Sequence, residues 1–363
     1  MRTSDAGCRI AFTMPDTAIF DHYEVLIRDD GALFELGRGA MGITYKAFDT
    51  SLRIPVALKV INATYLNSEV ARQRFVREAR SAAKLRHRHV ASVFHLGTEG
   101  DTWFYAMEFI DGETVDGLIK RQGPLSPIVA LTITAQVARA LNAALQHGLV
   151  HRDIKPANLM LVKEDDDLVA KVIDFGLAKT SLAADSEDAA TLSMGGFVGT
   201  PHFASPEQLE EKEIDVRSDI YSLGVTLWYM LAGHAPFAGS MAQVMSQHLS
   251  KPPPFEQLEN VPEPVANVLR KMLAKDPADR FQTPVALRKA IEDCLGQIAD
   301  TPAAEAIAPD GEEKFATLLD DSSVRASDGR FETASIIAGH YRIAESLGET
   351  YAGRVFRAYD TER

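Results

Sequence analysis

A short polar cluster lies between two apolar segments in residues 149–161, which read Leu-Val-His-Arg-Asp-Ile-Lys-Pro-Ala-Asn-Leu-Met-Leu. This pattern predicts a strand, a tight polar loop and a second strand. The loop carries an acid at Asp153, a cation at Lys155 and an amide at Asn158. Held in fixed register, these groups can accept a hydroxyl proton, hold an anionic group and help to bind a cation. The stretch is therefore predicted to be the chemical centre around which the chain is organised.

The order of these residues resembles the catalytic loop of protein kinases. His-Arg-Asp-x-Lys-Pro-x-Asn is followed by Asp174-Phe175-Gly176, and together the two motifs are far more specific than a lone His-Arg-Asp. Lys155 and Pro156 resemble the Ser/Thr branch, and the segments Ala-Met-Gly and Ser-Pro-Glu-Gln resemble the eukaryotic-like (Hanks-type) bacterial serine/threonine kinases. The resemblance implies an α+β, bilobal protein-kinase fold. Its N-lobe would be a five-stranded antiparallel sheet with one main helix, and its C-lobe would be mostly helical.

The resemblance divides the chain as follows. After a tail at residues 1–20, the kinase domain is predicted over residues 21–298, with an N-lobe at 21–110 and a C-lobe at 113–298. Residues 299–337 are rich in Ala, Asp, Glu and Ser without sustained periodicity, and they are predicted to be a linker.

The last segment, residues 338–363, repeats the start of the kinase region. In one ungapped register, Leu36, Gly37, Gly42, Ala47, Asp49 and Thr50 recur as Leu347, Gly348, Gly353, Ala358, Asp360 and Thr361. We interpret the segment as the truncated start of a second kinase-like repeat. Chance similarity between two strand–turn–strand segments is the alternative.

A glycine-rich turn opens the kinase region with Gly37, Gly39 and Gly42. Alternating residues on both sides predict a hairpin, and glycines let backbone amides approach phosphate oxygens closely. A dinucleotide-binding turn is the alternative, but it needs a helix directly after the third glycine, whereas residues 43–48 alternate like a strand. Thr44 departs from the family, which usually has Val roofing the adenine.

One charge lies in the next strand and another in the helix that follows it. Lys59 interrupts the apolar run Val56–Ile61, and a helix predicted from Ser68 to Leu85 places Glu78 within its apolar stripe. Because an inward-facing carboxylate needs a partner, Lys59 and Glu78 are predicted to pair. This matches the ion pair with which the family orients the lysine onto the α/β-phosphates. A solvent-facing Lys59 is the alternative.

The resemblance implies roles for the remaining site residues. Asp153 would orient the substrate hydroxyl and accept its proton, Lys155 would stabilise the transferring group, and Thr200 would support both. Asn158 and Asp174 would bind Mg²⁺, with Mn²⁺ as the alternative metal. The residues implied to contact ATP are Gly37, Gly39, Gly42, Thr44, Ala57, Lys59, Met107, Glu108, Ile110 and Met160.

The resemblance also implies two structural braces in the C-lobe. Asp219, at the start of an apolar helix, would brace the backbone of the catalytic loop, and Arg280 would pair with Glu207.

Residues 180–197 are small, polar and acidic, which predicts a mobile loop. Thr191 and Ser193 are the candidate autophosphorylation sites, because Arg152 and Lys179 could receive a phosphate. Such autophosphorylation in trans would need a transient dimer. Ordinary loop polarity is the alternative.

Composition excludes several partners. The net charge of −13 argues against nucleic acid or an anionic membrane as a main partner. Cys8 and Cys294 suggest no disulfide framework, and no signal peptide or uncharged apolar run of membrane-spanning length is evident. A cytoplasmic location without membrane contact is predicted, and a membrane anchor beyond residue 363 is left open.

The predicted function is a serine/threonine protein kinase that transfers the γ-phosphoryl of Mg-ATP to protein Ser/Thr hydroxyls, regulated by activation-loop autophosphorylation. The alternative is a nucleotide-binding signalling scaffold with little or no turnover, although such a scaffold has no need of intact Lys59, Asp153, Asn158 and Asp174. A small-molecule phosphotransferase is disfavoured because Ser205-Pro206-Glu207 resembles part of a peptide-docking platform.

Overall fold

The computed structural model forms two compact units, Met1–Leu319 and Asp320–Arg363. It describes residues 18–39, 41–66, 68–164, 167–175, 201–258 and 260–299, and the backbone of three strands between residues 336 and 360.

The first unit begins with a curled, seven-stranded antiparallel sheet. Its strands are β1 (Ile19–Phe20), β2 (Tyr23–Val25), β3 (Glu35–Gly39), β4 (Gly42–Asp49), β5 (Ile54–Ile61), β6 (Val93–Glu99) and β7 (Thr102–Glu108). The strand order is β1-β2-β4-β5-β7-β6, with β3 paired to β4. The five strands that the sequence predicts correspond to β3 to β7, and the short strands β1 and β2 extend the sheet.

Strand β5 separates two small cores, because successive side chains of a strand point to opposite faces. Val56, Leu58 and Val60 pack in one cluster with Phe104 and Ala106. The residues between them face the other way, and there Ala57 pairs with Met107 and Lys59 with Tyr105 across β5 and β7. This second face carries the residues predicted to bind nucleotide.

Helix α1 (Glu69–Ala82) covers that second face. It starts at Ser68, whose side chain accepts a hydrogen bond from the Ala71 amide, as an N-cap residue should. Its buried residues include Phe75 and Ala79, which belong to the predicted stripe. The helix ends three residues before the predicted end at Leu85, which is buried in the turn that follows.

The rest of the first unit is mostly helical, as predicted. Its helices are α2 (Val115–Gln122), α3 (Pro127–Gln146), α4 (Pro206–Leu209), α5 (Val216–Ala232), α6 (Met241–Ser250), α7 (Glu263–Met272) and α8 (Pro284–Ala299). A small antiparallel sheet of β8 (Glu113–Thr114), β9 (Leu159–Glu164) and β10 (Asp167–Val172) lies among them in the order β10-β9-β8. This small sheet flanks the polar loop that carries Asp153, Lys155 and Asn158.

Helices α3 and α5 form the centre of the helical core. Helix α5 buries almost every residue, including Trp228, which explains why its sequence is apolar on nearly every face. Helix α3 has the length and hydropathy of a membrane span, but 61% of its most apolar window is buried inside the protein. Its apolarity is therefore that of a core helix.

The second unit contains β11 (Ile336–Ile337), β12 (Tyr341–Thr350) and β13 (Gly353–Asp360), paired antiparallel. The pairs Gly348–Val355 and Thr350–Gly353 repeat the register of Gly37–Thr44 and Gly39–Gly42 in the β3–β4 hairpin. A register irregularity precedes the first glycine of each hairpin. This agreement supports the interpretation of an internal repeat, which stays a prediction. Strand β11 occupies the last two residues of the predicted linker.

Candidate active site

The backbone of the polar loop is fixed to helix α5. The amides of His151 and Arg152 donate to the two carboxylate oxygens of Asp219, each at 2.7 Å. Burial raises the pKa of Asp219 to about 7, while these two bonds favour its ionised form. His151 also contacts the Ile173 carbonyl through Nε2 at 3.1 Å. The loop thus joins α5 to the strand end that precedes Asp174, and the predicted brace is confirmed.

The acid, the cation and the amide converge as the sequence predicts. Lys155 Nζ lies 2.9 Å from Asp153 Oδ2, and Asn158 Nδ2 donates to Asp153 Oδ2 at 3.1 Å and to its carbonyl at 2.8 Å. The side chains of Asp153 and Lys155 are 18% and 23% exposed, so both are partly accessible from solvent. Because Nδ2 makes both bonds, the amide oxygen of Asn158 points away from Asp153 and is the atom suited to a hard cation.

Asp174 is held by two side chains of the sheet. Lys59 Nζ contacts its Oδ2, and the Tyr105 hydroxyl donates to its Oδ1 at 2.6 Å. Burial opposes ionisation, but the Lys59 charge and the bonds from Lys59 and Tyr105 outweigh it, so the pKa of Asp174 lies below its ordinary value. Asp174 has a φ of 61°, in the left-handed region that a residue other than glycine adopts at an energetic cost. Its carboxylate is therefore charged and fixed in direction.

The predicted pair between Lys59 and Glu78 is not the arrangement in the structure. Lys59 pairs with Asp174, and Glu78 Oε1 lies 3.7 Å from Nη1 of Arg152 in the catalytic loop. Lys59 is 7% exposed and needs a partner at close range, which Asp174 supplies. Glu78 does face inward, as predicted, but the cation that it meets belongs to the loop.

Phe175 packs Asp174's neighbouring backbone against the catalytic loop through His151. Its ring centroid lies 4.7 Å from that of His151, and its side chain is buried in the helical core. A small cavity above it is lined by Val90, Tyr105, Met107 and Asp174, among others. Met107 is thus buried in the core and also lines this cavity.

The glycine hairpin has the predicted form. Gly42 has a φ of 150°, and a Cβ built on it would lie 1.9 Å from the Val60 carbonyl oxygen, so the position excludes a side chain. A Cβ on Gly37 or Gly39 would meet nothing within 4 Å, which leaves space beside this backbone. Thr44 lies in register with Lys59 across β4 and β5. The hairpin therefore presents its backbone beside the strand that carries Lys59.

The other predicted nucleotide positions lie along the strand ends next to this face. Ala57 and Met107 are paired and each is 5% exposed, and Ile110 is buried just beyond β7. The Glu108 side chain is engaged by Lys171 at 2.8 Å and by the Ser92 amide at 3.1 Å, and its own amide donates to the Ser92 carbonyl at 2.8 Å, so of its polar groups the backbone carbonyl is the one predicted to meet a nucleotide. Met160 lies on β9 in register with Lys171. Thr200, Thr191 and Ser193 lie outside the described residues, so their predicted roles stay predictions.

Sequence reasoning missed Tyr105. An aromatic residue in an apolar strand is ordinarily core, and Tyr105 is 2% exposed. The register that places Tyr105 opposite Lys59, and so turns its hydroxyl to the same face as the lysine, is visible only in the structure.

The predicted pair between Arg280 and Glu207 is confirmed. Arg280 donates to both Glu207 oxygens, at 2.6 and 2.9 Å, and is itself 2% exposed. Burial opposes ionisation of Glu207, but Arg280 outweighs it and holds the pKa of Glu207 below its ordinary value. The bidentate pair fixes α4 to the turn before α8.

Comparison with known proteins decides the family. The family model for the protein kinase domain matches residues 32–291. The chain belongs to the protein kinase family. This kinase domain is 38% identical over 276 residues to the serine/threonine-protein kinase PknB of Mycolicibacterium smegmatis, covering 74% of this chain and 43% of that protein. It is 36% identical over 252 residues to a probable serine/threonine-protein kinase of Clostridium perfringens, covering 68% of this chain and 36% of the relative.

Solved structures agree with this assignment. The kinase domain of Mycobacterium tuberculosis PknI matches with a TM-score of 0.60 and 27% identity, over 77% of this chain and 99% of that one. The predicted fold class and the resemblance to bacterial serine/threonine kinases are confirmed. The chain spans less than half of the length of the curated relatives that it matches.

Proposed function

We propose that the chain is a serine/threonine protein kinase that transfers the γ-phosphoryl group of ATP, with Mg²⁺, to Ser or Thr hydroxyls of proteins. The observation that carries the proposal is the convergence of Asp153, Lys155 and Asn158 within hydrogen-bonding distance. An acid beside a cation and an amide oxygen is the set that phosphoryl transfer to a hydroxyl requires. The names of the relatives support Ser and Thr as the acceptors.

Each group has a separate task. Asp153 orients the attacking hydroxyl and accepts its proton, and Lys155, at 2.9 Å, balances the charge that develops beside it. The Gly37–Gly42 hairpin and Lys59 bind the phosphates of ATP. The Asp174 carboxylate and the Asn158 amide oxygen are hard oxygen donors, which fit Mg²⁺ or Mn²⁺. The metal, when bound, neutralises phosphate charge.

The competing proposal is a scaffold that binds nucleotide without turnover. The structure gives each functional side chain a partner that fixes its direction, including Asp219 behind the loop. Such preorganisation is needed for transfer and has no use in binding alone. We also propose that activation-loop hydroxyls, Thr191 or Ser193, are autophosphorylated in trans through a transient dimer, in a cytoplasmic protein.

The test is the intact mass of the purified chain before and after incubation with Mg-ATP, beside the variant Asp153→Asn. The variant keeps the shape of the side chain but cannot accept a proton. We expect phosphate-sized mass increments in the wild type alone, with magnesium required. A wild type that labels neither itself nor a generic Ser/Thr peptide, yet binds ATP, would favour the scaffold.

A further inference from the structure

The two ends of the N-lobe sheet meet away from the active site. Strands β1 and β2 form one end of the strand order and β6 the other, yet the Asp21 amide, in the β1–β2 turn, donates to Glu99 Oε2 at the end of β6 at 3.3 Å. The imidazoles of His22 and His95 also stack across this junction with centroids 5.7 Å apart. The two ends of the open sheet therefore touch through these residues.

We propose that Asp21, His22 and His95 form a binding site for a divalent transition-metal ion, with Zn²⁺ as the best match, that joins the two ends of the sheet. Each residue offers one ligand atom, and the three atoms lie within 4.8 Å of one another. Two imidazoles with one carboxylate is a ligand set that suits Zn²⁺ rather than Mg²⁺ or Ca²⁺.

The distances fit a tetrahedral ion. Asp21 Oδ2 lies 3.2 Å from His22 Nδ1 and 4.0 Å from His95 Nδ1. Ligands bound at about 2.0–2.1 Å in tetrahedral geometry are separated by about 3.3–3.5 Å. The two observed separations bracket that value, so a small rotation of the exposed Asp21 side chain is enough to bring its oxygen into place. The fourth position would be left to water.

A buried carboxylate orients His22. Asp49 Oδ2 lies 3.4 Å from His22 Nε2, and the side chain of Asp49 is only 3% exposed. Its other oxygen accepts from the amides of Ser51 and Leu52, at 2.9 and 2.7 Å. Metal-bound histidines characteristically have a carboxylate beside their second nitrogen, and Asp49 occupies that place here. With the proton on Nε2, the Nδ1 lone pair of His22 and the Asp21 carboxylate, 3.2 Å apart, would both be available as ligands.

A β-bulge aims His95 at the same point. Val93 pairs with Met107, but His95 pairs with Ala106, so the register shifts between them. Bulges redirect side chains in this manner. His95 Nδ1 is buried and has no hydrogen-bond partner among the residues that the structure describes. An imidazole nitrogen shielded from solvent at this junction is available to a metal.

The local charge favours a cation. Tyr23 packs on His22 with centroids 4.1 Å apart. The carboxylates of Asp21 and Asp49 lie beside the two ring nitrogens of His22, at 3.2 and 3.4 Å. The cluster also lies beside Phe104, on the face opposite to that of Lys59. Binding there should stabilise the lobe without occupying the nucleotide site.

The test is a titration of the full chain with Zn²⁺ by calorimetry, with excess Mg²⁺ present to fill oxygen-ligand sites, followed by thermal unfolding. The wild type should bind one Zn²⁺ with micromolar or tighter affinity and gain thermal stability. His95→Gln should lose the stabilisation, and Asp49→Asn should weaken binding by about 10–100-fold. His147→Gln, which changes an exposed histidine on the helical part, is the matched control and should bind as the wild type does.

A spectroscopic measurement and a further variant also test the site. Co²⁺ bound at the site should show the visible absorption of tetrahedral coordination, which a hydrogen-bonded His–Asp pair cannot produce. Asp21→Asn, an exposed change that should fold normally, must also weaken binding. The proposal is wrong if the wild type binds no Zn²⁺ at about 100 μM, or if every folded variant binds as His147→Gln does.

Discussion

The hydroxyl of Tyr105 should be needed to keep Asp174 charged and correctly aimed. It donates at 2.6 Å to a carboxylate whose side chain is 24% exposed, and Tyr105 is itself 2% exposed, so water cannot take the place of the hydroxyl without rearrangement. A hydrogen bond to a charged acceptor contributes about 1.5–3 kcal/mol. Tyr105→Phe keeps the ring and removes this bond. We expect the free energy of unfolding near pH 7 to fall by about that amount.

The pH dependence of this stabilisation follows from the direction in which the pKa of Asp174 is shifted. The pKa of Asp174 lies below its ordinary value, because Lys59 and Tyr105 outweigh the effect of burial. The stabilisation is therefore present above the ordinary pKa and is lost as the pH falls through the folded-state pKa. Without the hydroxyl that pKa rises. The difference in stability between wild type and variant should shrink in acid, and the acid limb of kcat/KM should move to higher pH.

The assay pairs urea unfolding at several pH values with kcat/KM profiles for ATP. Tyr45→Phe is the matched control, since Tyr45 is a buried tyrosine on β4 of the same sheet and packs in the cluster on the opposite face. It should leave the acid limb where it is in the wild type. If Tyr105→Phe and Tyr45→Phe have the same acid limb and the same loss of stability, the hydroxyl does not hold Asp174.

Three other substitutions test the surrounding framework. Arg280→Met should cost about 3–5 kcal/mol in urea unfolding, because it leaves the Glu207 charge buried, and Arg280→Lys should cost less. Gly42→Ala places a methyl 1.9 Å from the Val60 carbonyl, so it should lower the melting temperature and raise KM for ATP. Asp219→Asn leaves one backbone amide without an acceptor, which should cost about 1–3 kcal/mol and lower kcat. Wild-type values in any of these assays would contradict the corresponding contact.

The sequence predicted contacts well where chemistry is local. Asp153, Lys155 and Asn158 lie within six consecutive residues, so the loop that holds them also fixes their distances. The partner of Lys59 was not predictable in this way. Helical periodicity correctly turned Glu78 inward, but it gives a face and not a distance. The choice between Glu78 and Asp174 depends on how α1 sits against a strand end far along the chain.

The two-residue alternation of a strand predicts the wrong face of the sheet for His95, and the reason is different. Counting by two from Val93 places His95 on the face of Met107 and the nucleotide positions. The bulge between them reverses that assignment and sends the imidazole to the Phe104 face, beside Tyr23. No residue in the run Val-Phe-His-Leu marks the bulge, since none is a glycine or a proline. The bulged pairing thus decides whether this histidine lies on the face of Met107 or at the junction of the sheet. Deleting Phe94 would remove the bulge and keep His95 opposite Ala106, so Zn²⁺ binding should persist in that variant, whereas His95→Gln should abolish it.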